Sequence, residues 1–344
     1  MDNNTVNVAV IGFGYWGPNM VRNFNAQDQG TVLYVADFRE ERLKVVNKMY
    51  PAVTTTTSPD EAILDPKTDA VVIATPVFTH YELAKKALEA GKHVLLEKPM
   101  TSNSKEAEEL INLAEQKNLT LMVDHTFLYT GAVQSIKAFV DTGIIGKLQY
   151  IDSTRINLGL FQPDVNVLWD LAPHDISILN YLVDEKPYSV QATGVCHTNN
   201  GIENIAYLTM NYQSNMIAHF NCSWTSPVKI RKFLIGGDKK MIVFDDTEPT
   251  EKIRIYDTSY HYTEKRSDED KRKVLVDYRV GDIHIPKIPM KEALAGVAND
   301  FLKAITHDIR PISDYISGIN VIKVLEASQE SIKNRGKEVK VDYL

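Results

Sequence analysis

The chain has little thiol chemistry to offer: its 344 residues include only two cysteines, Cys196 and Cys222, and no Cys-x-x-Cys pair. This spacing gives no indication of a zinc or redox site. No stretch approaches the roughly 18–20 consecutive apolar residues that span a bilayer. The segment before the first apolar run also lacks the basic lead of a signal peptide. These absences predict a cytoplasmic protein that has no membrane partner.

An excess of basic residues is also missing. The formal net charge is −7 and the pI is about 5.8, which argues against a nucleic-acid partner because such surfaces usually carry a basic stripe. Hydrophobic residues make up 44% and charged residues 24%, as is usual for globular proteins. A chain of this length favours two domains.

The first third of the chain alternates short apolar runs with helical patterns. The runs are VNVAVIG (6–12), TVLYVAD (31–37), DAVVIATP (69–76), KHVLLEK (92–98) and LTLMVDH (119–125). Between two of them, HYELAKKALEAG (80–91) has a helical pattern and ends on a glycine. Continuous apolar strands that alternate with helices predict a parallel sheet covered on both faces.

After about residue 125 the pattern changes. A predicted helix (131–142) leads into a predicted strand (147–157), and MIAHFNCSW (216–224) alternates apolar and polar residues, as antiparallel strands with one buried face do. The charged run 264–273 predicts a solvated loop or hairpin tip. Amphipathic helices are predicted at 291–305 and 316–334. We therefore predict an α/β protein with domains at 1–124 and 125–344, the closing helices being free to pack back on the first domain.

Gly12-Phe13-Gly14-Tyr15-Trp16-Gly17 fits the motif G-x-G-x-x-G directly after a strand and before a helical stretch. In such a loop the first glycine permits a tight turn, the second lets a pyrophosphate approach the backbone, and the third packs helix on strand. The helix N-terminus then offers N–H groups to the phosphates. The loop predicts a dinucleotide-binding domain.

Asp37 closes the second strand, where a carboxylate can accept hydrogen bonds from the ribose hydroxyls and would repel a 2′-phosphate. This favours NAD as the cofactor. Arg39 keeps NADP open, because an arginine can receive that phosphate. Thr75 and Pro76, at the end of the third apolar run, are expected near the nicotinamide.

Lys98 ends a strand and is followed by Pro99, so it is expected at the crevice beyond the carboxyl ends of the sheet. With Glu97-Lys98-Pro99 and Asp170-Leu171-Ala172-Pro173-His174, the chain resembles the glucose–fructose oxidoreductase / inositol dehydrogenase / MocA (Gfo/Idh/MocA) family over nearly its whole length. The resemblance implies an N-terminal Rossmann domain and a C-terminal α+β domain with a largely antiparallel, open-faced sheet.

The resemblance pairs Lys98 with Asp170 and His174 as catalytic residues, and places Glu97 and Lys98 beside the cofactor. Histidine suits a general base because its pKa lies near working pH, and Lys98 would stabilise a developing alkoxide. Pro173 is interpreted as the first residue of a helix, with His174 in a first turn that favours the neutral ring. Many relatives carry a glycine pair where this chain has Asn166 and Val167.

Other polar residues allow two interpretations. His125, at the end of a strand, is expected either to contact substrate or to pack in the core. Arg155 and Asn157 are candidates for substrate binding, with an interdomain salt bridge as the alternative for Arg155. Asp175 is expected to complement a helix N-terminus, and His80 to cap or pack as much as to contact ligand. No third ligand joins Asp170 and His174, so no metal is expected.

These features favour an NAD-dependent oxidoreductase that transfers hydride between a nicotinamide and a hydroxyl or keto group of a sugar or nucleotide-sugar. Two alternatives remain open: a non-catalytic dinucleotide-binding sensor, and a family enzyme that performs elimination or hydrolysis through transient oxidation. The resemblance also implies a homodimer or homotetramer that associates through an open sheet face.

Overall fold

The computed structural model describes residues 5–159, 161–162, 164–262 and 276–343, so the charged run 264–273 lies outside the described residues. The chain divides into two compact units. The first contains the residues up to Thr130, Lys291–Glu326 and Tyr343, and the second contains Gly131–Met290 and Ala327–Asp342.

A six-stranded parallel sheet forms the centre of the first unit, in the order β3-β2-β1-β4-β5-β6. Up to Thr130 its elements are β1 (Val6–Ile11), α1 (Gly17–Asn25), β2 (Gly30–Ala36), α2 (Glu40–Met49), β3 (Thr54–Thr56), α3 (Pro59–Leu64), β4 (Ala70–Ile73), α4 (His80–Glu89), β5 (His93–Glu97), α5 (Ser104–Lys117) and β6 (Leu121–Asp124), with short 3₁₀ turns at Val77–Thr79 and Thr126–Tyr129. This strand order is that of a Rossmann domain. The predicted parallel sheet is confirmed, and the apolar run of β4 is buried along its whole length.

The second unit is built on a nine-stranded sheet in the order β16-β13-β12-β11-β7-β10-β9-β8-β17. Its elements are α6 (Gly131–Asp141), β7 (Leu148–Leu158), α7 (Val167–Leu182), β8 (Ser189–Val195), β9 (Ile205–Asn211), β10 (Ile217–Ser223), β11 (Thr225–Gly237), β12 (Met241–Asp245), β13 (Ile253–Tyr256), β14 (Ser259–Tyr262), β15 (Val276–Arg279), β16 (Ile283–His284) and, near the end of the chain, β17 (Val339–Lys340). Only β7 and β10 pair in parallel among these neighbours. Strands β14 and β15 form a separate hairpin. The predicted, largely antiparallel sheet is confirmed.

The alternating segment 216–224 lies mainly on β10, as its pattern predicts. Ala218, Phe220 and Cys222 are buried on the face that α7 covers, whereas Ile217 on the opposite face is 46% exposed. A period-two pattern therefore marks the buried side of this sheet correctly.

Two closing helices follow, α8 (Ala293–His307) and α9 (Tyr315–Lys333). Helix α8 packs against α1, with the rings of Phe24 and Phe301 edge to face at 6.1 Å. Helix α9 begins in the first unit and ends in the second, because the division falls after Glu326. Within the described ranges, no helix combines the length and apolar character required to cross a membrane.

The turn after β1 depends on Gly12, whose φ is +96°. A Cβ there would lie 2.5 Å from the carbonyl oxygen of Ala74, so both the backbone conformation and the available space require glycine. Gly14 differs, because the nearest atom to its ideal Cβ is an Arg39 side-chain nitrogen at 3.8 Å. The fold therefore requires glycine at position 12, whereas position 14 has room for a side-chain Cβ.

We expect Gly12→Ala to lower the free energy of unfolding by about 2–4 kcal/mol, since it adds left-handed strain and a clash with backbone. The matched variant Gly14→Ala should stay within about 0.5 kcal/mol of the parent. Urea denaturation of the three proteins measures both values. Equal losses in the two variants would contradict this account of the turn.

Candidate active site

The glycine loop leaves room for a ligand beside Gly14. Phe13 is buried and its N–H donates to Asp37 Oδ2 over 2.7 Å, which fixes the loop against the end of β2. Tyr15 is 84% exposed and meets Trp16 edge to face. A backbone fixed at Phe13 and open at Gly14 fits a pyrophosphate that approaches main-chain N–H groups at the start of α1.

Asp37 is already hydrogen-bonded within the chain. Its Oδ1 accepts from Arg39 N and Arg39 Nε, both at 2.9 Å, and its Oδ2 accepts from an Arg39 terminal nitrogen at 2.8 Å. Burial raises the pKa of Asp37, but the hydrogen bonds from Arg39 and Phe13 outweigh that effect and hold the pKa below its usual value. The carboxylate is thus ionised, buried and largely neutralised by Arg39.

Lys98 lies next to a buried pair of carboxyl groups. Glu97, the last residue of β5, is paired in register with Asp124 at the end of β6, and their side chains are hydrogen-bonded. Burial, together with the neighbouring Asp124, raises the pKa of Glu97 well above its usual value, and burial raises that of Asp124 to about 6. Thr126 Oγ1 donates to Asp124 over 2.6 Å. Both pKa values are raised, so the two carboxyl groups share a proton in the buried pair.

Two buried histidines lie near Lys98. His80 has Nδ1 3.0 Å from the Pro99 carbonyl oxygen and Nε2 2.9 Å from that of Thr75, so it connects the two loops by packing and hydrogen bonding. His125 is different, because neither ring nitrogen has a hydrogen-bond partner among the residues that the structure describes. Burial and the charge of Lys98 lower the pKa of His125 to about 3, so its ring is neutral.

In the second unit, helix α7 begins earlier than the sequence predicts. Asn166 is its N-cap and accepts hydrogen bonds from the N–H groups of Leu168 and Trp169 at 3.1 and 3.2 Å. Pro173 lies inside the helix, and the prediction that it is the first helical residue is wrong. His174 is about two turns from the N-terminus, so the helix dipole does not account for a neutral ring. Asp170 occupies the first turn instead.

Asp170 is oriented by a tryptophan that the sequence analysis did not assign to the site. Trp224, directly after β10, donates from Nε1 to Asp170 Oδ2 over 2.9 Å. A Cβ at Gly159 would lie 2.7 Å from the Trp224 ring and 3.2 Å from Asn157 Nδ2. The structure therefore brings Asn157, Trp224 and Asp170 together on one side of the sheet.

Asp175 forms a buried ion pair with Arg155. The two side chains are 1% and 4% exposed, Arg155 Nε donates to Oδ1 over 2.7 Å, and Ser153 Oγ donates to Oδ2 over 2.8 Å. The expectation that Asp175 complements a helix N-terminus is wrong, because α7 begins at Val167. The alternative for Arg155, an interdomain salt bridge, is corrected to an ion pair within the second unit.

Three residues in these clusters have roles that were not predicted from the sequence. Asp124 had a signal, since it follows an apolar strand at the carboxyl edge of a parallel sheet, where ligands bind. Asn166 had another, as a preferred N-cap residue before an apolar run. For Trp224, the only signal in the sequence was its place at the end of the alternating segment 216–224. Within the described ranges, no three histidine, cysteine or acidic side chains are grouped to hold a metal ion.

Two family profiles match the chain. Residues 6–125 match the oxidoreductase family with an NAD-binding Rossmann fold, and residues 133–243 match the GFO/IDH/MocA C-terminal domain. The first unit thus contains an NAD-binding Rossmann domain.

Among curated proteins, the chain is 33% identical over 183 residues to the uncharacterized oxidoreductase YdgJ of Escherichia coli, covering 50% of this chain and 51% of that protein. It is 31% identical over 206 residues to the UDP-N-acetylglucosamine 3-dehydrogenase of Acidithiobacillus ferrooxidans, covering 59% of this chain and 62% of that protein. The chain thus spans about half to three-fifths of the length of these relatives. A further relative, the scyllo-inositol 2-dehydrogenase (NADP(+)) IolW of Bacillus subtilis, is 24% identical over 96% of this chain and 95% of its own.

The fold is similar to that of solved structures over nearly the whole chain. A putative oxidoreductase from Klebsiella pneumoniae superposes with a TM-score of 0.81 at 26% identity, covering 99% of this chain and 96% of that one. The Acidithiobacillus ferrooxidans UDP-N-acetylglucosamine 3-dehydrogenase superposes with a TM-score of 0.78 at 24% identity, covering 96% and 98%. With residues 6–125 and 133–243 matched by the two domain models of one family, the chain belongs to the Gfo/Idh/MocA oxidoreductase family.

Proposed function

We propose that this protein is an NAD(P)-dependent dehydrogenase or ketoreductase that acts on a hydroxyl or keto group of a sugar or nucleotide-sugar. The observation that carries the proposal is the family membership of a chain that retains Lys98, Asp170 and His174 at the motif positions. Relatives named as a UDP-N-acetylglucosamine dehydrogenase and an inositol dehydrogenase support the substrate class.

The proposed mechanism divides the work among three side chains. The nicotinamide, when bound, accepts or supplies the hydride. His174 takes the hydroxyl proton as general base, and Lys98 stabilises the negative charge that develops on the substrate oxygen. Asp170 acts as the orienting carboxylate, and the hydrogen bond from Trp224 supports that role by fixing one of its oxygens.

Further residues are proposed to hold the ligands. The Gly12–Gly17 loop, Asp37 and Arg39 bind the adenosine and pyrophosphate end of the cofactor, and Thr75, Pro76 and Glu97 contact the nicotinamide end. His125 is proposed as a substrate contact because neither of its buried ring nitrogens has a hydrogen-bond partner among the described residues. Asn157 stays a predicted contact. Arg155 does too, although its guanidinium is already bound by Asp175. The cytoplasmic location also stays a prediction.

We expect His174→Ala and Lys98→Met each to lower kcat/KM by about 10²–10⁴-fold, because each removes a group that acts only on the reacting oxygen. Nicotinamide absorbance with NAD⁺ and NADP⁺, against free sugars, inositols and UDP- or dTDP-linked sugars, measures the rates. His307→Ala and Lys85→Met, which change exposed or partly exposed side chains elsewhere, are the matched controls.

Near-parental turnover in both variants would exclude the assigned roles. Dinucleotide binding without turnover of any substrate would favour the sensor. Release of a sugar or nucleotide without net NADH would favour transient oxidation.

Arg39 binds the Asp37 carboxylate. The preference for NAD over NADP is therefore weaker than a lone carboxylate would produce. Arg39 neutralises the charge that would repel a 2′-phosphate, and 32% of its side chain is exposed. We propose that NAD is the main cofactor and that Arg39 allows NADP to bind as well.

Removing the Arg39 side chain should strengthen the preference for NAD over NADP. We expect Arg39→Ala to weaken NADPH binding by about 10-fold or more, since the phosphate loses a charge-assisted partner and meets a bare carboxylate. NADH binding should change by less than about threefold. Fluorescence titration with both nucleotides tests this, and a parallel loss of both would refute a role in discrimination.

We also propose that two or four copies assemble through the sheet face opposite α7. Exposed apolar side chains lie on that face at Tyr150, Val195, Tyr207 and Ile217, and a second copy would bury them. Light scattering should give at least twice the monomer mass, and Tyr207→Glu with Ile217→Lys should reduce it to one chain. A monomeric parent protein at micromolar concentration would contradict the assembly.

A further inference from the structure

Two arginines lie side by side on the face of the second sheet that α7 packs against. Arg155 on β7 and Arg231 on β11 are register partners. Each alternates with buried residues of the same face, Ser153 on β7 and Phe233 on β11. Their side chains therefore project to the same side.

The first arginine is fully engaged. Asp175 accepts from Arg155 through Nε and through a terminal nitrogen, and the pair is buried. Asp175 also accepts from Ser153, so its oxygens have little capacity for a second guanidinium.

The second arginine is only loosely held. Arg231 Nε is buried and lacks a hydrogen-bond partner among the described residues. It pairs with Asp246, whose Oδ2 lies 3.6 Å from Nη1, and Lys252 shares that carboxylate by donating from Nζ to Oδ1 over 3.4 Å. Burial, and then the charge of Arg155, lower the pKa of Arg231. The side chain is 31% exposed, so a ligand can reach it.

The position of Arg231 relates it to the polar groups already described. Asn157 lies two residues beyond Arg155 on β7, about 7 Å along the strand, and next to Trp224, which holds Asp170. A continuous row thus runs from Asp170 through Trp224, Asn157 and Arg155 to Arg231, all within the second unit. Arg231 lies at the partly exposed end of this row, whereas Trp224 and Arg155 within it are buried.

We propose that Arg231 binds an anionic group of the substrate, either the carboxylate of a uronic acid or a phosphate of a nucleotide-linked sugar. This inference rests on the proposed function, whose substrate class it narrows to anionic sugars. A guanidinium fork matches both groups bidentately. Because Nε is buried, the terminal nitrogens in the exposed part of the side chain supply the donors, and the anion competes with Asp246 for them.

The test measures binding rather than turnover. With the dinucleotide site saturated by NADH, UDP and D-glucuronate are titrated calorimetrically, and uridine and glucose serve as neutral counterparts. We expect Arg231→Gln to weaken binding of one of the two anions by about 10- to 100-fold. The anion affected identifies the source as phosphate or carboxylate.

Lys232→Gln is the matched control, because the adjacent residue on β11 points to the opposite face and pairs with Asp245. It removes the same charge and should leave anion binding unchanged. Asp246→Asn should tighten binding severalfold by removing the competing carboxylate, an outcome that misfolding cannot produce. Arg231→Lys should give an intermediate affinity, since it keeps the charge and loses the fork.

The proposal is overturned if the parent protein binds the anions no better than their neutral counterparts, or if Lys232→Gln loses as much affinity as Arg231→Gln. A different outcome would separate this inference from the proposed function. If the protein transfers no hydride but binds anions in a way that depends on Arg231, the proposed function is wrong and the anion site remains supported.

Discussion

A charged side chain withdrawn from water costs several kcal/mol unless a partner meets it, and that constraint organises the polar groups of this protein. Asp37 is paired with Arg39, Asp175 is paired with Arg155, and Glu97 and Asp124 share a proton. Each solution fixes a strand end or a helix against its neighbour. The framework around the proposed chemistry is therefore held by charges that are already satisfied.

Arg39, Arg155 and Arg231 show how the acceptors around a guanidinium decide whether it can bind a ligand. Arg39 and Arg155 each give two or more hydrogen bonds to one carboxylate. Arg231 has a terminal nitrogen 3.6 Å from the Asp246 carboxylate that Lys252 shares, and its buried Nε has no hydrogen-bond partner among the described residues. Arg39 thus neutralises a loop carboxylate, Arg155 forms a structural ion pair, and Arg231 is a candidate ligand contact. The acceptors around each side chain account for the difference.

Local pattern was enough to predict the parallel sheet, the alternating strand at 216–224 and the glycine turn, because each depends on neighbouring residues along the chain. The start of α7 was mispredicted since a proline at position 173 resembles an N1 residue, whereas Asn166 supplies the actual cap. The partner of Asp175 lies 20 residues away on a strand, and Glu97 meets Asp124 only through strand register. Pairings of this kind follow from the tertiary fold, and spacing does not encode them.

The proton shared by Glu97 and Asp124 affects how the enzymology of this protein is interpreted. A kinetic pKa near 6 is conventionally ascribed to a histidine, yet burial raises the pKa of Asp124 to about 6 beside Lys98, while burial lowers the pKa of His125 and keeps its ring neutral. Such a pair loses its protons in macroscopic steps that belong to both groups. An acidic limb in a rate profile would therefore report on two carboxyl groups at the ends of adjacent strands as readily as on an imidazole.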